Sequence, residues 1–317
     1  MYQLCHNITI GAYRLRLVDE VRVVKSIDSL SDTATIRVPG AVMNRAIEVE
    51  SKIAEGDPVE IELGYDGDLY GEFRGYVDRV SSDGGAVTIE CVDSLYLFKK
   101  SLRNKQYKNI SLRDLLSKVC AEVSGLIEVD CDYDVVYDTF TIYKATGYDV
   151  LSKVQDDIRA NIYFSGRTLR VHAPYKYEGG EAVRYDFGRN VEKSDLRYVR
   201  ARDKKVEVEL TIYAADGTSR KVSYGTTGGQ KVERTSVTMD ERSARKLAKD
   251  EYDAMVFDGY EGSFTGWLLP FVNPTYAVEL RDQDSPEKDG RYYVVGVEVQ
   301  YSRSGGVRRV TLGRKIK

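Results

Sequence analysis

Alternating carboxylates are the first residues in this sequence whose spacing could support chemistry, because such clusters can bind calcium. The first cluster consists of Asp130, Asp132 and Asp134. The second cluster consists of Asp282, Asp284, Glu287 and Asp289. A calcium-binding loop needs a glycine at its turn and a distal glutamate that binds the ion through both oxygens. The first cluster has neither, and the second contains a proline. We therefore interpret both clusters as solvated segments and predict no metal site.

Acid–base or nucleophilic catalysis needs a side chain that can act as acid, base or nucleophile near neutral pH, and histidine, the commonest one, is scarce in this sequence. His6 and His172 are the only two histidines. His172 alternates with Arg170 along a predicted hairpin strand, which indicates a strand residue rather than a base. His6 follows Cys5, and adjacent strand residues point to opposite faces, which argues against a dyad. No serine-hydrolase, zinc-protease or phosphate-loop pattern occurs. The sequence predicts no catalytic residue and no cofactor.

Two basic groups have residue types that bind anions. Arg200, Arg202 and Lys204 alternate and would line one face of a strand, and Arg308 and Arg309 lie near the C-terminus. A functional role would be contact with DNA in a channel or with an acidic partner surface. A platform for stacking bases would also need interleaved aromatic residues, and none are present. An ordinary solvated face is therefore the interpretation that we favour.

The segment Trp267, Leu268 and Leu269 contains the only tryptophan of the chain and precedes a proline. A lone tryptophan in an apolar run fits either a module core or an anchor at a subunit or partner contact. The sequence leaves both interpretations open, so the segment is a candidate contact site.

Length and composition set the class of protein. The chain has 317 residues, too many for one ordinary core, so two or three domains are expected. A hydrophobic content of 42% and a net charge of −3 fit a soluble globular protein. No apolar run approaches the roughly 20 residues that span a bilayer, and no secretory signal begins the chain. The four scattered cysteines indicate free thiols in a reducing compartment.

Strands dominate both ends of the chain. Residues 56–93 predict three strands, because apolar and polar residues alternate between Asp–Gly turns, including one at residues 83–85. The same plan returns at residues 273–314. This repeat predicts two related β modules. Further strands in residues 8–55 give the first module about six strands, enough for a small barrel.

The middle of the chain predicts helices. Ser111, followed three residues later by Asp114, forms a capping-box arrangement that starts one helix, and a second helix follows Thr146. Asp240 is a good cap for a third helix that extends to Met255.

Between the helices, residues 198–213 predict one long strand that ends at a turn at residues 216–217. The sequence therefore predicts a mainly β fold in which two similar small barrels flank an α+β insert. The predicted domains are residues 1–100 for the first barrel, residues 101–190 for the α+β middle domain and residues 191–317 for the second barrel with its helix.

The order of these pieces resembles the phage late control protein D family, the baseplate hub proteins of contractile tails. The C-terminal part carries most of the resemblance, with a helix SARKLAKDEYDAM, a strand GSFTGWLLP and the segments DGRYYVVGVEVQYS and GGVRRVTLG. The first barrel of the family is echoed by GDPVEIELGY and EFRGYVDRV, and the middle domain by residues 148–171. The resemblance covers essentially the whole chain.

This resemblance implies a homotrimer whose paired barrels form a pseudo-sixfold ring between the tail tube and the central spike. Other baseplate proteins would be further partners, and DNA would pass through the lumen without specific binding. Because the chain ends directly after the second barrel, we expect the spike to be a separate protein, unlike in the related type VI secretion spike proteins. The implied location is the virion tail baseplate, after synthesis in the bacterial cytoplasm and without membrane insertion.

Three alternatives stay open at this point. The first is the hub of a non-phage contractile injection system. The second, from a different class, is a tail-associated enzyme that degrades cell wall with carboxylates such as Asp149, Asp156 and Asp157. The third is a carbohydrate-binding module, which the 24 tyrosines permit.

Overall fold

The computed structural model describes residues 2–39, 52–83, 85–158, 160–213, 218–237 and 241–316. The predicted turns at residues 83–85 and 216–217 rest on Gly84, Asp216 and Gly217, which lie outside the described residues. Asp240, the predicted cap of the third helix, also lies outside them.

The structure is mainly β with a small α+β part, as the sequence predicts. The first strands are β1 (Leu4–Ile10), β2 (Tyr13–Leu15), β3 (Glu20–Ser26), β4 (Thr33–Pro39), β5 (Pro58–Tyr65), β6 (Asp68–Asp83) and β7 (Ala86–Val92). The next are β8 (Lys105–Ser111), β9 (Glu128–Cys131), β10 (Val136–Ile142), β11 (Asn161–Ser165), β12 (Thr168–His172), β13 (Val183–Asp186) and β14 (Lys193–Val199). The last are β15 (Val206–Tyr213), β16 (Ser219–Gly225), β17 (Gln230–Val237), β18 (Gly259–Trp267), β19 (Ala277–Arg281), β20 (Gly290–Ser302) and β21 (Gly305–Ile316).

The α-helices whose bounds lie within the described residues are α1 (Leu112–Val123), α2 (Gly147–Asp157) and α3 (Glu241–Met255). In the part of the chain that the structure describes, short 3-10 helices span Ser94–Lys99, Ala201–Asp203 and Pro286–Lys288. No helix in the described part of the chain is long and apolar enough to cross a membrane.

The chain divides into two compact units. Unit 1 contains Met1–Tyr96, Glu178–Leu196 and Gly262–Lys317, and unit 2 contains Leu97–Tyr177 and Arg197–Glu261. Unit 1 therefore gathers both ends of the chain. The three predicted domains, bounded near residues 100 and 190, stay a prediction about how the chain is organised.

The described strands of unit 1 form one 13-stranded sheet with the main order β14-β18-β21-β20-β3-β4-β7-β6-β5-β1-β2. Strand β19 pairs with β20, and β13 adds to β19 in parallel. The sheet contains the two predicted three-strand meanders, β5–β6–β7 and β19–β20–β21. They are joined through β3 and β4, because β3 pairs with β20 and β4 pairs with β7. Closure of each module into a barrel stays a prediction.

The alternation of apolar residues explains how the meanders form a core. Val59, Ile61 and Leu63 of β5 are buried, while the intervening glutamates are more exposed. A β-bulge interrupts this alternation in each meander. Glu72 is the extra residue on β6 opposite β5, and Val295 is the extra residue on β20 opposite β21. Such bulges bend a strand and redirect the inserted side chain.

Unit 2 contains the predicted α+β elements. Its sheets have the orders β11-β12-β9, β10-β8 and β16-β15-β17. The Oγ of Ser111 accepts from the Asp114 N–H at 3.1 Å and caps α1. Thr146 and Asp149 form a complete capping box on α2. Both predicted helix starts are confirmed.

The long strand predicted over residues 198–213 is wrong in its first half. Strand β14 ends at Val199, and β15 begins only at Val206. Between them, the N–H groups of Asp203 and Lys204 donate at 3.1 Å to the carbonyls of Arg200 and Ala201 and close a 3-10 turn. Because each of these bonds spans three residues, the chain turns where alternation alone predicts a continuous strand.

Candidate functional site

The candidate contact segment at the end of β18 presents one ring to solvent and places one side chain in the core. The Trp267 ring is 49% exposed, and its Nε1 donates to Glu192 Oε1 at 2.5 Å. Leu268 is buried, and Leu269 is half-buried and precedes a cis proline. Leu268 is therefore a core residue, in agreement with one of the two interpretations of this segment. The other interpretation, contact with a partner, stays a prediction for Trp267.

The two ends of the 13-stranded sheet are open among the residues that the structure describes. Strand β14 is the last strand at one end and β2 at the other. Within the described residues, β2 pairs with Ile8–Ile10 of β1, so the first half of β1 also lies at the edge. Open strand edges expose unpaired backbone groups that can bind another chain. Near this edge, the exposed Tyr2 ring lies 5.9 Å from the Tyr65 ring.

The basic group at residues 200–204 does not line a strand, because it lies at the 3-10 turn. Arg200 is exposed, and its guanidinium lies 5.9 Å from the centre of the Tyr198 ring. Arg202 is exposed as well, 3.7 Å from a carboxylate oxygen of Asp203. The Lys204 ammonium is 3.9 Å from Glu261 and lies over the Phe257 ring. The interpretation of this group as one basic strand face is wrong, and its role in binding a partner stays a prediction.

Arg308 does not lie on the predicted basic surface, because its side chain is buried and only 1% exposed. Its Nε donates to the Leu268 carbonyl at 2.9 Å, and its Nη1 donates to the Val272 carbonyl at 3.1 Å. Nη1 also donates to Glu72 Oε2 at 3.3 Å, and Nη2 donates to Glu72 Oε1. Arg309, the next residue on β21, is exposed and donates from Nε to Ser263 Oγ at 2.9 Å.

Glu72 is the carboxylate that holds a buried ionic cluster together. Besides Arg308, it contacts Lys25, whose Nζ lies 3.4 Å from Glu72 Oε2 and also donates to Asn273 Oδ1. Burial lowers the pKa of Lys25, and the charge of Glu72 opposes that change. Both cations also lie near the Phe271 ring, 5.1 Å from its centre for Arg308 and 5.7 Å for Lys25.

The sequence interpretation missed this cluster, because the burial that reveals it is visible only in the structure. Glu72 and Phe73 are consecutive buried residues on β6. Regular strands bury alternate residues, so two inward neighbours indicate a bulge. A glutamate at such a position predicts a buried cation as its partner.

Asp32 and Asp93 form an acidic pair beside the end of β7. Asp93 Oδ2 accepts from the Asp32 N–H at 2.8 Å, and Asp93 Oδ1 accepts from the Leu95 N–H at 2.9 Å and from Ser31 Oγ at 3.2 Å. Burial raises the pKa of Asp32 to about 6, and burial with the charge of Asp32 raises that of Asp93 to about 7. Perturbed carboxyls of this kind occur at active sites and also in structural networks.

Both histidines pair with tyrosine hydroxyls. His6 Nδ1 lies 2.7 Å from Tyr301 Oη, and His172 Nε2 lies 3.0 Å from Tyr163 Oη. Burial is the main cause that lowers the pKa of each imidazole. The ring of His172 is buried on β12, in agreement with its interpretation as a strand residue.

The acidic clusters are paired with cations. In the first cluster, Asp130 accepts from Arg170 at 2.5 Å. In the second, Asp282 accepts from Lys288 at 2.5 Å and Asp289 accepts from Arg281 at 3.0 Å. Among the described residues, no group of three or more histidine, cysteine, aspartate or glutamate side chains could hold a metal ion.

The fold is similar to solved phage tail structures. No protein-family model and no curated protein matches the sequence. The 43 kDa tail protein of prophage MuSo2 from Shewanella oneidensis matches with a TM-score of 0.68 and 16% identity over 98% of both chains. A tail protein from Neisseria meningitidis MC58 matches with a TM-score of 0.69 and 15% identity, over 99% of this chain and 97% of that chain.

A third similar structure comes from a secretion system. It is the Escherichia coli c3393 protein, described as a component of the type VI secretion system with structural similarity to the T4 tail proteins gp27 and gp5. The TM-score is 0.57 and the identity 10%, over 98% of this chain and 79% of that chain. These likenesses establish that the chain has a tail-protein fold.

Proposed function

We propose that this protein is a structural hub of a contractile phage or prophage tail baseplate, of the late control protein D type. Three copies would form a ring, and each copy would supply two related β modules, so that a trimer presents six similar surfaces. The observation that carries the proposal is the repeated meander, β5–β6–β7 and β19–β20–β21, within one chain. The likeness of the fold to prophage tail proteins over nearly the whole chain supports it.

The proposed role is geometric rather than catalytic. The open edges at β14 and β2 would pair across subunits, which would cover backbone groups that otherwise promote aggregation. The exposed Trp267 ring has the size and the polar N–H that suit an interface anchor.

The partners of the ring would be a tail tube protein on one side and a separate spike protein on the other. Further baseplate proteins would contact the ring, and DNA would pass through its lumen without specific binding. The protein would therefore be located in the virion tail.

A second candidate is the hub of a non-phage contractile injection system. The likeness to the c3393 protein, a component of a type VI secretion system, supports this candidate. Both candidates need the same trimer, and they differ in the tube and the spike that the ring contacts.

The alternative of a cell-wall-cleaving enzyme assigns catalysis to Asp149, Asp156 and Asp157, and the structure shows the contacts of these three side chains. Asp149 accepts from the Thr146 N–H at 2.7 Å and caps α2. Asp157 forms an ion pair of 3.1 Å with Lys153, and Asp156 lies on the exposed side of the helix. These contacts support a structural rather than an enzymatic role.

The proposal is tested by measuring the solution mass over a concentration range of about 1 to 200 µM, with negative-stain imaging of the same samples. We expect a monomer–trimer equilibrium and threefold rings with a central hole. Trp267→Ala should shift the equilibrium toward monomer, and the matched control Tyr143→Ala, an exposed tyrosine of unit 2, should not. A monomer at every concentration, or a dimer, would contradict the proposal.

A further inference from the structure

Unit 2 carries a basic depression that the proposed hub role does not use. Its volume is about 620 Å³, and it is bounded by the connector before β8, by β8 itself and by the solvent side of α1. The lining residues are Lys100, Ser101, Arg103, Lys105, Tyr107, Lys118, Ala121 and Glu122. Four cations and one carboxylate thus face one concave surface of a protein whose net charge is −3.

The single carboxylate of the depression already has a partner. Glu122 Oε1 accepts from the backbone N–H of Arg103 at 2.7 Å. Lys100 Nζ donates to the Glu122 carbonyl at 2.8 Å and so binds the C-terminal end of α1. Among the described residues, the guanidinium of Arg103 and the ammonium groups of Lys105 and Lys118 have no carboxylate partner. These three charges remain available to an external anion.

Strand β8, which forms one wall of the depression, also has an open edge. In the described part of the chain it pairs only with β10, in a two-stranded ribbon. The pairing is continuous from Lys105 to Lys108, and most of this segment is exposed. Lys105 and Tyr107 point to the same face of the ribbon, because they are two positions apart. That face is the one that lines the depression.

We propose that an extended acidic segment of another protein adds to the free edge of β8 and places its carboxylates in the basic depression. In such strand addition, backbone hydrogen bonds supply affinity and alternate side chains supply specificity. A side chain of the added strand opposite Lys105 would lie on the same face as the depression. Cations on an edge strand disfavour pairing with neutral or basic strands, so this edge selects an acidic one.

The shape and composition of the site favour a peptide over a nucleic acid. Tyr107 is the one aromatic residue of the lining, and the Lys105 ammonium lies 5.0 Å from its ring centre. Single-stranded nucleic acids bind through several stacking platforms along a basic groove. The site offers instead a short open strand and a local cluster of charges. The inference rests on unit 2 alone and does not depend on the trimeric ring.

The test measures binding of a fluorescein-labelled ten-residue peptide that alternates glutamate with valine, by fluorescence anisotropy on the full-length protein. We expect saturable binding that weakens as salt rises, because screening reduces the attraction between exposed charges. A glutamine–valine peptide should bind at least about tenfold more weakly. The glutamate peptide with alternate backbone amides N-methylated along one edge should also lose at least about tenfold, because it cannot form the strand hydrogen bonds.

Charge-reversal variants locate the site. The double variant Lys105→Glu and Lys118→Glu should weaken binding about tenfold or more. Lys108→Glu is the matched control, because Lys108 lies on the same strand, points to the opposite face and does not line the depression. This control should change the affinity less than about twofold. All these side chains are exposed, so circular dichroism should show unchanged folds.

Three results would overturn the proposal. The first is equal binding by the N-methylated peptide, which would make the contact purely electrostatic. The second is equal loss for Lys108→Glu and the double variant, which would place the site elsewhere. The third is tighter binding of a single-stranded oligonucleotide than of the glutamate peptide. None of these results bears on the solution mass of the ring, so failure here is distinct from failure of the hub proposal.

Discussion

The two meanders of unit 1 have the same topology and different chemistry. In each, a long central strand pairs in antiparallel orientation with a strand on either side. In each, the central strand contains a bulge. In the N-terminal meander, Glu72 is inserted opposite β5 and Asp78 opposite β7, whereas in the C-terminal meander Val295 is inserted opposite β21.

The neighbours of the meanders differ as well. Strand β5 pairs with β1 in antiparallel orientation, whereas β19 pairs with β13 in parallel orientation. The charge of Glu72 is compensated by Lys25 from β3 and by Arg308 from the opposite meander. The two meanders thus share a strand order but differ in their buried side chains. The N-terminal meander contributes Glu72 to one ionic cluster, and the C-terminal meander contributes Arg308.

The largest expected loss of stability comes from truncating Glu72 to alanine, and Val295→Ala in the other meander is the comparison. Glu72→Ala should lower the free energy of unfolding by about 3–5 kcal/mol, because it leaves two buried cations without their carboxylate. Val295→Ala should cost about 1 kcal/mol, because Val295 is only half-buried and carries no charge. Urea unfolding measures both.

An apolar replacement of the whole cluster is the control for this prediction. The triple variant Lys25→Met, Glu72→Leu and Arg308→Met should regain most of the stability that Glu72→Ala loses, since no buried charge is left unpaired. Equal stability losses for Glu72→Ala and Val295→Ala would contradict the chemical difference between the meanders.

A smaller effect is expected from the glycines. A Cβ at Gly64 would lie 1.8 Å from the Asp68 carbonyl oxygen, so Gly64→Ala should cost about 3 kcal/mol by overpacking the β5–β6 hairpin. In the C-terminal meander a Cβ at Gly296 would lie 3.3 Å from the Lys25 carbonyl oxygen, which predicts a loss of about 1 kcal/mol.

Gly71 serves as the matched control, because a Cβ there meets nothing within 4 Å. Gly71→Ala should change stability by no more than about 0.5 kcal/mol. Thermal unfolding of the three variants would rank them, and a Gly296→Ala loss as large as that of Gly64→Ala would show that the meanders are packed alike.

The pH dependence of stability tests the acidic pair beside the N-terminal meander. The pKa values of Asp93, about 7, and Asp32, about 6, lie above those of free aspartates. The folded state therefore retains protons that the unfolded state releases, and this stabilising contribution declines as pH rises through 6 to 7. From about pH 5 to about pH 8, the contribution of this pair to the free energy of unfolding should fall by about 3–4 kcal/mol.

Asp93→Asn should flatten this pH profile, because it removes the group with the higher pKa. Glu60→Gln, which changes an exposed carboxylate paired with Arg74, should leave the profile as it is. Urea midpoints at several pH values give the comparison, and equal pH profiles for the wild type and Asp93→Asn would contradict the prediction.

The smallest effect concerns the two neighbouring arginines of β21. Arg309→Met should cost about 0.5 kcal/mol, because it removes an exposed side chain with one hydrogen bond to Ser263. Arg308→Met should cost several-fold more, since it leaves the buried Glu72 with Lys25 as its remaining cation. Urea unfolding of the pair would show whether only one face of β21 carries the cluster.

The sequence predicts the elements whose signals are local. The alternation on β5 and the caps at Ser111 and Thr146 are set by residues close in the chain. The resemblance to tail proteins adds the correct fold class. The 3-10 turn at residues 201–203 was missed, because alternating residues do not reveal where backbone bonds close a turn.

Long-range features could not be predicted from the residues alone. The pairing of β3 with β20 and the parallel addition of β13 to β19 depend on packing between distant segments. Arg308 resembles a surface residue in a basic tail, and its burial is decided by Glu72, 236 positions away in the chain. Its neighbour Arg309 has the same residue type and the opposite environment.

The pairing of β3 with β20 also constrains how the protein is made. The ribosome releases β3 early, whereas its partner strand emerges only after most of the chain has been translated. At bacterial elongation rates this interval lasts on the order of tens of seconds. All of unit 2 is synthesised before the last segment of unit 1 begins at Gly262. Nascent chains therefore carry an incomplete unit 1 while all residues of unit 2 are already present.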